Sequence, residues 1–308
     1  MNTVKISQNK KGMKSFQRSG KRFAWLMISV AVVHFAVFWI YINFDQFRMA
    51  FSYRTVSGAE ILTLDNFRRI FREFGQTDSV IVYSLVNTLK YWLMSVGKLI
   101  LTVFVAYFLW KKIPFSKTFL FVFFLPSILP PVMMVTLFKN MISTVGPIAA
   151  LCKNLFGVEI PPLLMHYTTA TDTIIFYTFW AGLGINMLIL LGAFGRIPDS
   201  VIDAGKIDGC GWLREIWSIT VPLIWETVQV MLLLNISSLF IASGPILLFT
   251  NGNEYTKTYT ISFWMYVEVQ KGNFYYPAAV GLFFTLLALP PVFISRFVLS
   301  KLNRGVAY

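Results

Sequence analysis

The chain is 308 residues long, 56% of them hydrophobic and only 13% charged, with a net charge of +13. A soluble domain carries about 25% charged residues, so this composition excludes a soluble fold and favours a helical protein that crosses the bilayer several times. The basic excess alone would suit a nucleic-acid-binding protein. Here the Lys and Arg residues are spread over four segments rather than one face, which excludes that class.

Long apolar segments predict an all-α polytopic membrane protein. Residues 1–22 hold seven Lys or Arg and no acid, so we expect a basic, solvated cytoplasmic tail. At about 1.5 Å per residue, each apolar segment in residues 23–308 is long enough to cross a hydrocarbon core of about 30 Å. We therefore expect residues 23–308 to form one transmembrane domain. The six predicted transmembrane helices are residues 23–42, 80–109, 118–138, 173–194, 223–249 and 277–299.

The connections between the predicted spans are polar and rich in turn residues. Residues 43–79 include LDNFRRIF (64–71), whose apolar and basic faces predict a short helix at the membrane surface. That helix either packs at the interface or contacts a soluble partner. Residues 140–172 and 250–276 are predicted to be further connections.

Two spans carry features that point to a cavity. The third contains Pro126 and the pair Pro130-Pro131, which predicts a helix kinked or broken midway, and broken helices in membranes usually line a cavity. In the second span, Lys98 lies well inside the predicted bilayer. A charge there costs about 2.5–3.5 kcal/mol unless it faces protein or water.

Residues 196–222, RIPDSVIDAGKIDGCGWLREIWSITVP, form a polar island between the fourth and fifth spans. Apolar residues recur at helical spacing both before and after the breakers Asp208-Gly209-Cys210-Gly211. This pattern predicts two short helices joined by a turn, lying outside the hydrocarbon.

The distribution of basic residues predicts the orientation of the chain. If the first span begins in the cytoplasm, the cytoplasmic segments hold sixteen of the 27 Lys and Arg residues and the outer connections hold eight. Cytoplasmic loops carry such an excess, so we expect both termini and residues 196–222 in the cytoplasm. The two cysteines, Cys152 and Cys210, then lie on opposite sides of the membrane and do not pair.

The polar island resembles the cytoplasmic coupling loop of permease subunits in binding-protein-dependent ABC importers, with the pattern E-A-A-x-x-D-G, an apolar helix and I-x-x-P. The counterparts are Asp203-Ala204-Gly205, Asp208-Gly209, Ile219 and Pro222. Asp203 replaces Glu and Gly205 replaces Ala, changes that keep the charge and the small contact surface. The resemblance implies that Asp203, Ala204, Gly205, Asp208 and Gly209 contact an ATPase, with helix capping as the alternative role of the two acids.

Residues 64–308 further resemble the maltose-type, sugar branch of these permeases. The matching segments are NTL (87–89), FLPSILPPV (124–132), WAGLGINM (180–187) and SGPILLFTNGNEYTKT (243–258). This resemblance implies the type I ABC importer permease fold in a bacterial-type plasma membrane. It also implies three partners: an ATP-binding cassette ATPase dimer, a second permease subunit and an extracellular solute-binding protein. The second permease is either another copy of this chain or a homologue, and the family favours a homologue.

The sequence contains no motif for chemistry of its own. It lacks a G-x-x-x-x-G-K-[ST] phosphate loop, paired carboxylates, H-E-x-x-H and G-x-S-x-G. We therefore expect no catalytic site, no cofactor and no bound metal, and a separate subunit must hydrolyse the ATP.

A sugar path would use polar and aromatic residues at mid-span, because aromatic faces and amides suit sugar rings. The candidates are Trp180, Asn186, Asn235, Ser238 and Lys98. Each has simple packing as its alternative role. Lys90 and Lys98 either pair with Glu226 or Asp172 or attract an acidic sugar. An importer for another solute remains open. A channel or scaffold would explain the hydropathy but not the paired short helices.

Overall fold

The computed structural model describes residues 23–55, 58–76, 78–241, 244–250 and 256–302. The basic tail predicted for residues 1–22 lies outside these ranges. The described chain is helical apart from a two-stranded antiparallel hairpin. It divides into two compact units, residues 1–66 with 274–279, and residues 67–273 with 280–308.

The first unit contains one long helix and the hairpin. Helix α1 extends past the predicted end at residue 42, because its polar continuation is helix-compatible and is stabilised by an ion pair of 2.9 Å between Asp45 and Arg48. The amide of Asn66 donates hydrogen bonds to the carbonyls of Ala50 and Ser52 and so ties the hairpin to the helix. The elements are α1 (Phe23–Ala50), β1 (Ser52–Arg54) and β2 (Glu60–Leu62).

The remaining helices follow in chain order. They are α2 (Asp65–Phe74), α3 (Val80–Trp110), α4 (Ser116–Ile128), α5 (Pro131–Ile142), α6 (Pro147–Phe156), α7 (Tyr167–Ala181), α8 (Leu183–Phe194), α9 (Asp199–Ile207), α10 (Trp212–Leu223), α11 (Trp225–Ser237), α12 (Ile246–Thr250), α13 (Ile261–Gln270) and α14 (Tyr275–Leu302).

Five helical stretches of the described chain are long and apolar enough to cross a membrane. A sixth exists if α10 and α11, which meet at a bend of 82°, are counted as one span. The five stretches are Phe23–Ala50, Val80–Trp110, Pro131–Phe156, Tyr167–Phe194 and Tyr275–Lys301.

The predicted third span is interrupted, as its prolines indicate. Helix α4 ends at Ile128, the backbone is extended at Leu129 and Pro130, and α5 begins at Pro131. The connection predicted for residues 140–172 contains α6, which the turn residues concealed. Pro147 lies at the first turn of that helix, where its missing N–H costs nothing, and Gly157 ends it with φ +67°.

The predicted fifth span is also divided. Helix α11 ends at Ser237 and α12 begins at Ile246, with the turn at Gly244-Pro245 immediately before α12. Ser243, part of the segment that carries the sugar-permease resemblance, lies outside the described residues.

The core of the second unit is centred on α3. Buried side chains of α3, α8, α9, α10 and α11 form one apolar cluster, in which Met187, Leu190, Phe194 and Ile216 are the largest fully buried members. Helix α8 approaches α4 so closely that a Cβ on Gly184 would lie 2.7 Å from the carbonyl oxygen of Phe123. Small residues allow this distance between helix backbones in membranes.

Candidate functional site

Helix α9 presents one buried and one exposed face. Ile202 and Gly205 are buried, whereas Asp203 and Ala204 are exposed. A Cβ on Gly205 would lie 2.7 Å from the Cδ1 of Ile219 in α10. Gly205 therefore allows the two short helices to pack together, while its neighbours face away from the rest of the chain.

The turn after α9 is a Schellman motif. The N–H of Gly209 donates to the carbonyl of Lys206 at 3.0 Å, and that of Cys210 donates to the carbonyl of Gly205 at 2.9 Å. Gly209 has φ +70°, a conformation that other residues adopt only with strain. The sequence prediction of a tight turn at Gly209 is confirmed.

The two acids of the predicted coupling motif have different surroundings. Asp203 accepts a hydrogen bond of 2.9 Å from Lys206, and this bond raises the pKa of Lys206. Asp208 is exposed at the end of α9, and no described residue forms a hydrogen bond or ion pair with its carboxylate. Helix α10 starts after Gly211 without a side-chain cap, so the capping role considered for Asp208 is not what the structure contains.

A buried ion pair joins α10 to the end of α3. Glu215 of α10, whose side chain is 8% exposed, pairs with Lys111, the residue after α3. The Lys111 ammonium also lies 4.9 Å from the ring centroid of Trp110. This contact was not predicted from the sequence. The available signal was one acid, Glu215, inside the apolar stripe of WLREIW.

Aromatic contacts add to this attachment. Trp217 packs edge-on against Phe104, with ring centroids 5.9 Å apart, and Trp212 packs against Phe108 at 5.5 Å. Helix α9 therefore packs on α10, α10 packs on α3, and α10 continues through a bend of 82° into α11. We call α9, the Gly209 turn and α10 the coupling knob, residues 199–223.

A second feature is a cavity of about 170 Å³ in the same unit. Tyr91, Ser95 and Lys98 lie on one face of α3 at helical spacing and form one of its walls. That i, i+4, i+7 pattern was present in the sequence. The full lining among described residues is Tyr91, Trp92, Met94, Ser95, Lys98, Ile175, Thr178, Phe179, Ser238 and Gly244.

Lys98 is half-buried in this cavity and has no counter-ion among the described residues. Neither Glu226 nor Asp172 forms an ion pair with it, so the predicted pairing alternative is wrong in this structure. Its Nζ lies beside Gly182, where an added Cβ would come within 2.6 Å of it. Lys98 thus lines the cavity, and its charge lies beside Gly182 rather than beside a carboxylate of the described chain.

The structure separates the other predicted solute-path residues. Ser238 lines the cavity, and Asn235 donates a hydrogen bond of 2.6 Å to Ser95 on its wall. Trp180 stacks on Phe138 at 6.2 Å instead. Asn186 also lies outside the lining, and its side chain has no hydrogen-bond partner in the described part of the chain.

Comparison with known proteins decides the class of this membrane protein. Residues 98–308 match the family model described as "Binding-protein-dependent transport system inner membrane component", and this match covers more than half of the chain. The chain belongs to this family. It is accordingly an integral membrane component of a transport system, and the match includes the whole coupling knob.

Relatives of this transport component carry sugar-transport names. The multiple sugar-binding transport system permease protein MsmF of Streptococcus mutans is 23% identical, covering 85% of this chain and 90% of that protein. The polygalacturonan/rhamnogalacturonan transport system permease protein YteP of Bacillus subtilis is 24% identical, covering 94% and 91%. The maltose/maltodextrin permease MalF of Klebsiella aerogenes is 27% identical over 61% of this chain, which spans 37% of MalF.

A solved structure has the same fold as this transport component. A chain of a bacterial ABC transporter involved in the import of the acidic polysaccharide alginate superposes with a TM-score of 0.77 at 19% identity, covering 96% of this chain and all of that chain. The fold is therefore that of an ABC importer permease, as the sequence resemblance implied.

Proposed function

We propose that this chain is one of two permease subunits of an ATP-driven importer for oligosaccharides. A solute-binding protein outside the cell delivers the solute, and a homologous second permease completes the pathway. The family match supports the transport role. The names of MsmF, YteP and MalF support a carbohydrate, and a related alginate transporter is described in complex with a pentasaccharide-bound periplasmic protein, which supports an oligosaccharide and a binding protein.

The ATPase dimer docks on the coupling knob in this proposal. The observation that carries it is the exposure of Asp203, Ala204, Asp208 and Gly209 on a base attached to α3 by the Lys111–Glu215 pair. Asp208 offers unused acceptors to Arg or backbone N–H groups of the ATPase. Nucleotide-driven closure of the ATPase would move the knob, and with it α3 and α11, as one body. Gly205 acts inside the knob rather than on its surface.

This arrangement requires the knob to face the cytoplasm, where ATP is. The two-to-one excess of Lys and Arg in the proposed cytoplasmic segments supports that orientation, with both termini on the same side. Chemical labelling of a single cysteine at position 203 in intact cells tests it directly. Labelling from outside the cell would refute the orientation and the docking site together.

The solute path follows the cavity of α3 and α11. Lys98 and Ser238 contact the solute, and Asn235 positions Ser95. Trp180 and Asn186 belong to the path only where it continues beyond the cavity lining.

The test is co-purification and transport with the tagged full chain from its native host. We expect an ABC ATPase, a second permease and ATP-dependent oligosaccharide uptake. Ala204→Trp should abolish ATPase recovery without straining the backbone, and Gly209→Trp should do so as well. Lys117→Ala, a change at an exposed residue in the first turn of α4, is the control and should retain it.

The same preparation separates the competing classes. ATP-dependent uptake of an amino acid or peptide but no sugar would reassign the solute. Solute flux with no bound ATPase would point to a channel and refute the proposed coupling.

A further inference from the structure

The cavity of α3 contains a cation and a polar group that the described chain leaves without partners. Lys98 has no carboxylate within ion-pair distance, and the hydroxyl of Tyr91, a residue 5% exposed, has no hydrogen-bond partner among the described residues. Both residues line the same wall. Buried polar groups are normally satisfied, so the Tyr91 hydroxyl and the half-buried Lys98 ammonium in the same cavity leave room for a ligand that bonds to both.

We propose that Lys98 binds a carboxylate of the transported sugar, and that this permease therefore carries acidic oligosaccharides containing uronic acid units. The inference rests on the proposed transport function and names its substrate class. Tyr91 donates its hydroxyl to the same sugar unit.

The position of Lys98 suits an anionic solute. Charged residues inside the bilayer face the bundle interior or a water-filled cavity, and they mark substrate and ion pathways. Lys98 lines the cavity, and its ammonium lies so close to Gly182 that a Cβ there would be 2.6 Å from Nζ. No carboxylate of the described chain pairs with it, so an anionic solute in the cavity would supply the opposite charge.

The charge balance favours a carboxylate over a phosphate. One ammonium neutralises one carboxylate and leaves a pair without net charge in the membrane interior. A sugar phosphate carries about two negative charges at neutral pH and would leave one of them uncompensated, which is costly in a low-dielectric environment.

The remaining lining suits a sugar ring. Trp92 and Phe179 supply aromatic surface, and Ser95, Thr178 and Ser238 supply hydroxyl groups around it. The cavity volume is about 170 Å³, whereas sites that enclose a drug-sized ligand have volumes of about 300–1,000 Å³. It therefore holds one unit of an oligosaccharide while the rest extends along the path.

The experiment compares two matched solutes in proteoliposomes containing the complete transporter with its binding protein. One is a galacturonate trisaccharide, and the other is the same trisaccharide with its carboxylates reduced to hydroxymethyl groups. We expect Lys98→Met to lower ATP-dependent uptake of the acidic trisaccharide at least tenfold and to leave uptake of the reduced one within twofold. Lys98→Arg, which keeps the charge, should retain most of the acidic uptake.

The outcomes distinguish binding of a sugar carboxylate by Lys98 from a structural role of this residue. Equal loss for both solutes in Lys98→Met would show a structural role and overturn the inference. ATP-dependent uptake of only the reduced trisaccharide by the unmodified transporter would overturn it too, while leaving the proposed importer intact. Uptake of neither solute by a complete, ATP-hydrolysing transporter would overturn the substrate class and leave the importer intact, whereas purification of the chain without any ATPase would refute the importer itself. Should Lys98→Met fail to assemble, Lys98→Gln and Lys98→Arg give the same comparison through the ratio of the two uptake rates.

Discussion

Lys111 and Glu215 form an ion pair between the end of α3 and the coupling knob, although they are 104 positions apart in the chain. Glu215 is almost fully buried, whereas the Lys111 side chain is 26% exposed. Removal of one partner from such a pair leaves the other charge desolvated and unpaired. The contact is therefore more important for attaching the knob than an exposed salt bridge would be.

Replacement of Lys111 by Met should loosen the knob. We expect a loss of about 2–3 kcal/mol in unfolding free energy, at the lower end for buried pairs because Lys111 is partly exposed. SDS-titrated unfolding of the purified chain measures it. Lys112→Met, at an exposed neighbour, is the control. The exchanged pair Lys111→Glu with Glu215→Lys should recover part of the loss, and no recovery would contradict a direct charge interaction.

The turn of the knob should require glycine at position 209 but not at position 211. Gly209→Ala should cost about 1–2 kcal/mol, because φ is +70° there and no atom lies near the added Cβ, so the cost is backbone strain alone. Gly211→Ala, with φ −70°, should change stability by less than about 0.5 kcal/mol, since reduced chain entropy and a weaker N-cap oppose each other. Similar values for both variants in unfolding measurements would argue against the left-handed turn.

The packing of α8 on α4 should not tolerate a side chain at Gly184. Gly184→Ala places a Cβ 2.7 Å from the backbone oxygen of Phe123, which has no freedom to move aside, so we expect a loss of about 1–3 kcal/mol. Gly192→Ala lies in the same helix with no atom within 4 Å of its Cβ and should be neutral or stabilising by up to about 1 kcal/mol. Thermal unfolding in detergent separates the two. A neutral Gly184→Ala would mean that these helices are farther apart.

Asn87 should stabilise the chain around Lys257 and Tyr259. Its amide donates to both of those carbonyls, at 2.8 and 2.9 Å, so Asn87→Leu removes both hydrogen bonds. We expect a local loss of about 1–3 kcal/mol, seen as faster amide hydrogen exchange over residues 257–261. Asn186→Leu, which removes an amide that bonds no described residue, should leave that exchange unchanged. Equal exchange in both variants would contradict the role of Asn87.

Much of the fold follows from local sequence patterns. The long apolar segments, the break at Pro130-Pro131 and the left-handed turn at Gly209 were all predictable, because helix hydrogen bonds and proline or glycine geometry involve residues close together in the chain. Helix α6 was not predicted, because a pair such as Gly146-Pro147 is found both in turns and at the start of helices.

The sequence by itself determined that the chain is a membrane protein, where its helices break and which short stretch resembles a coupling loop. Only the tertiary structure decided that Gly205 is buried while Asp203 is exposed and that Glu215 pairs with Lys111. It also decided that Lys98 pairs with neither Glu226 nor Asp172. The physical reason is that these outcomes depend on packing between helices that are distant in the chain. The partner of a charged residue can be identified only when the fold is known, because the two residues are far apart in the sequence.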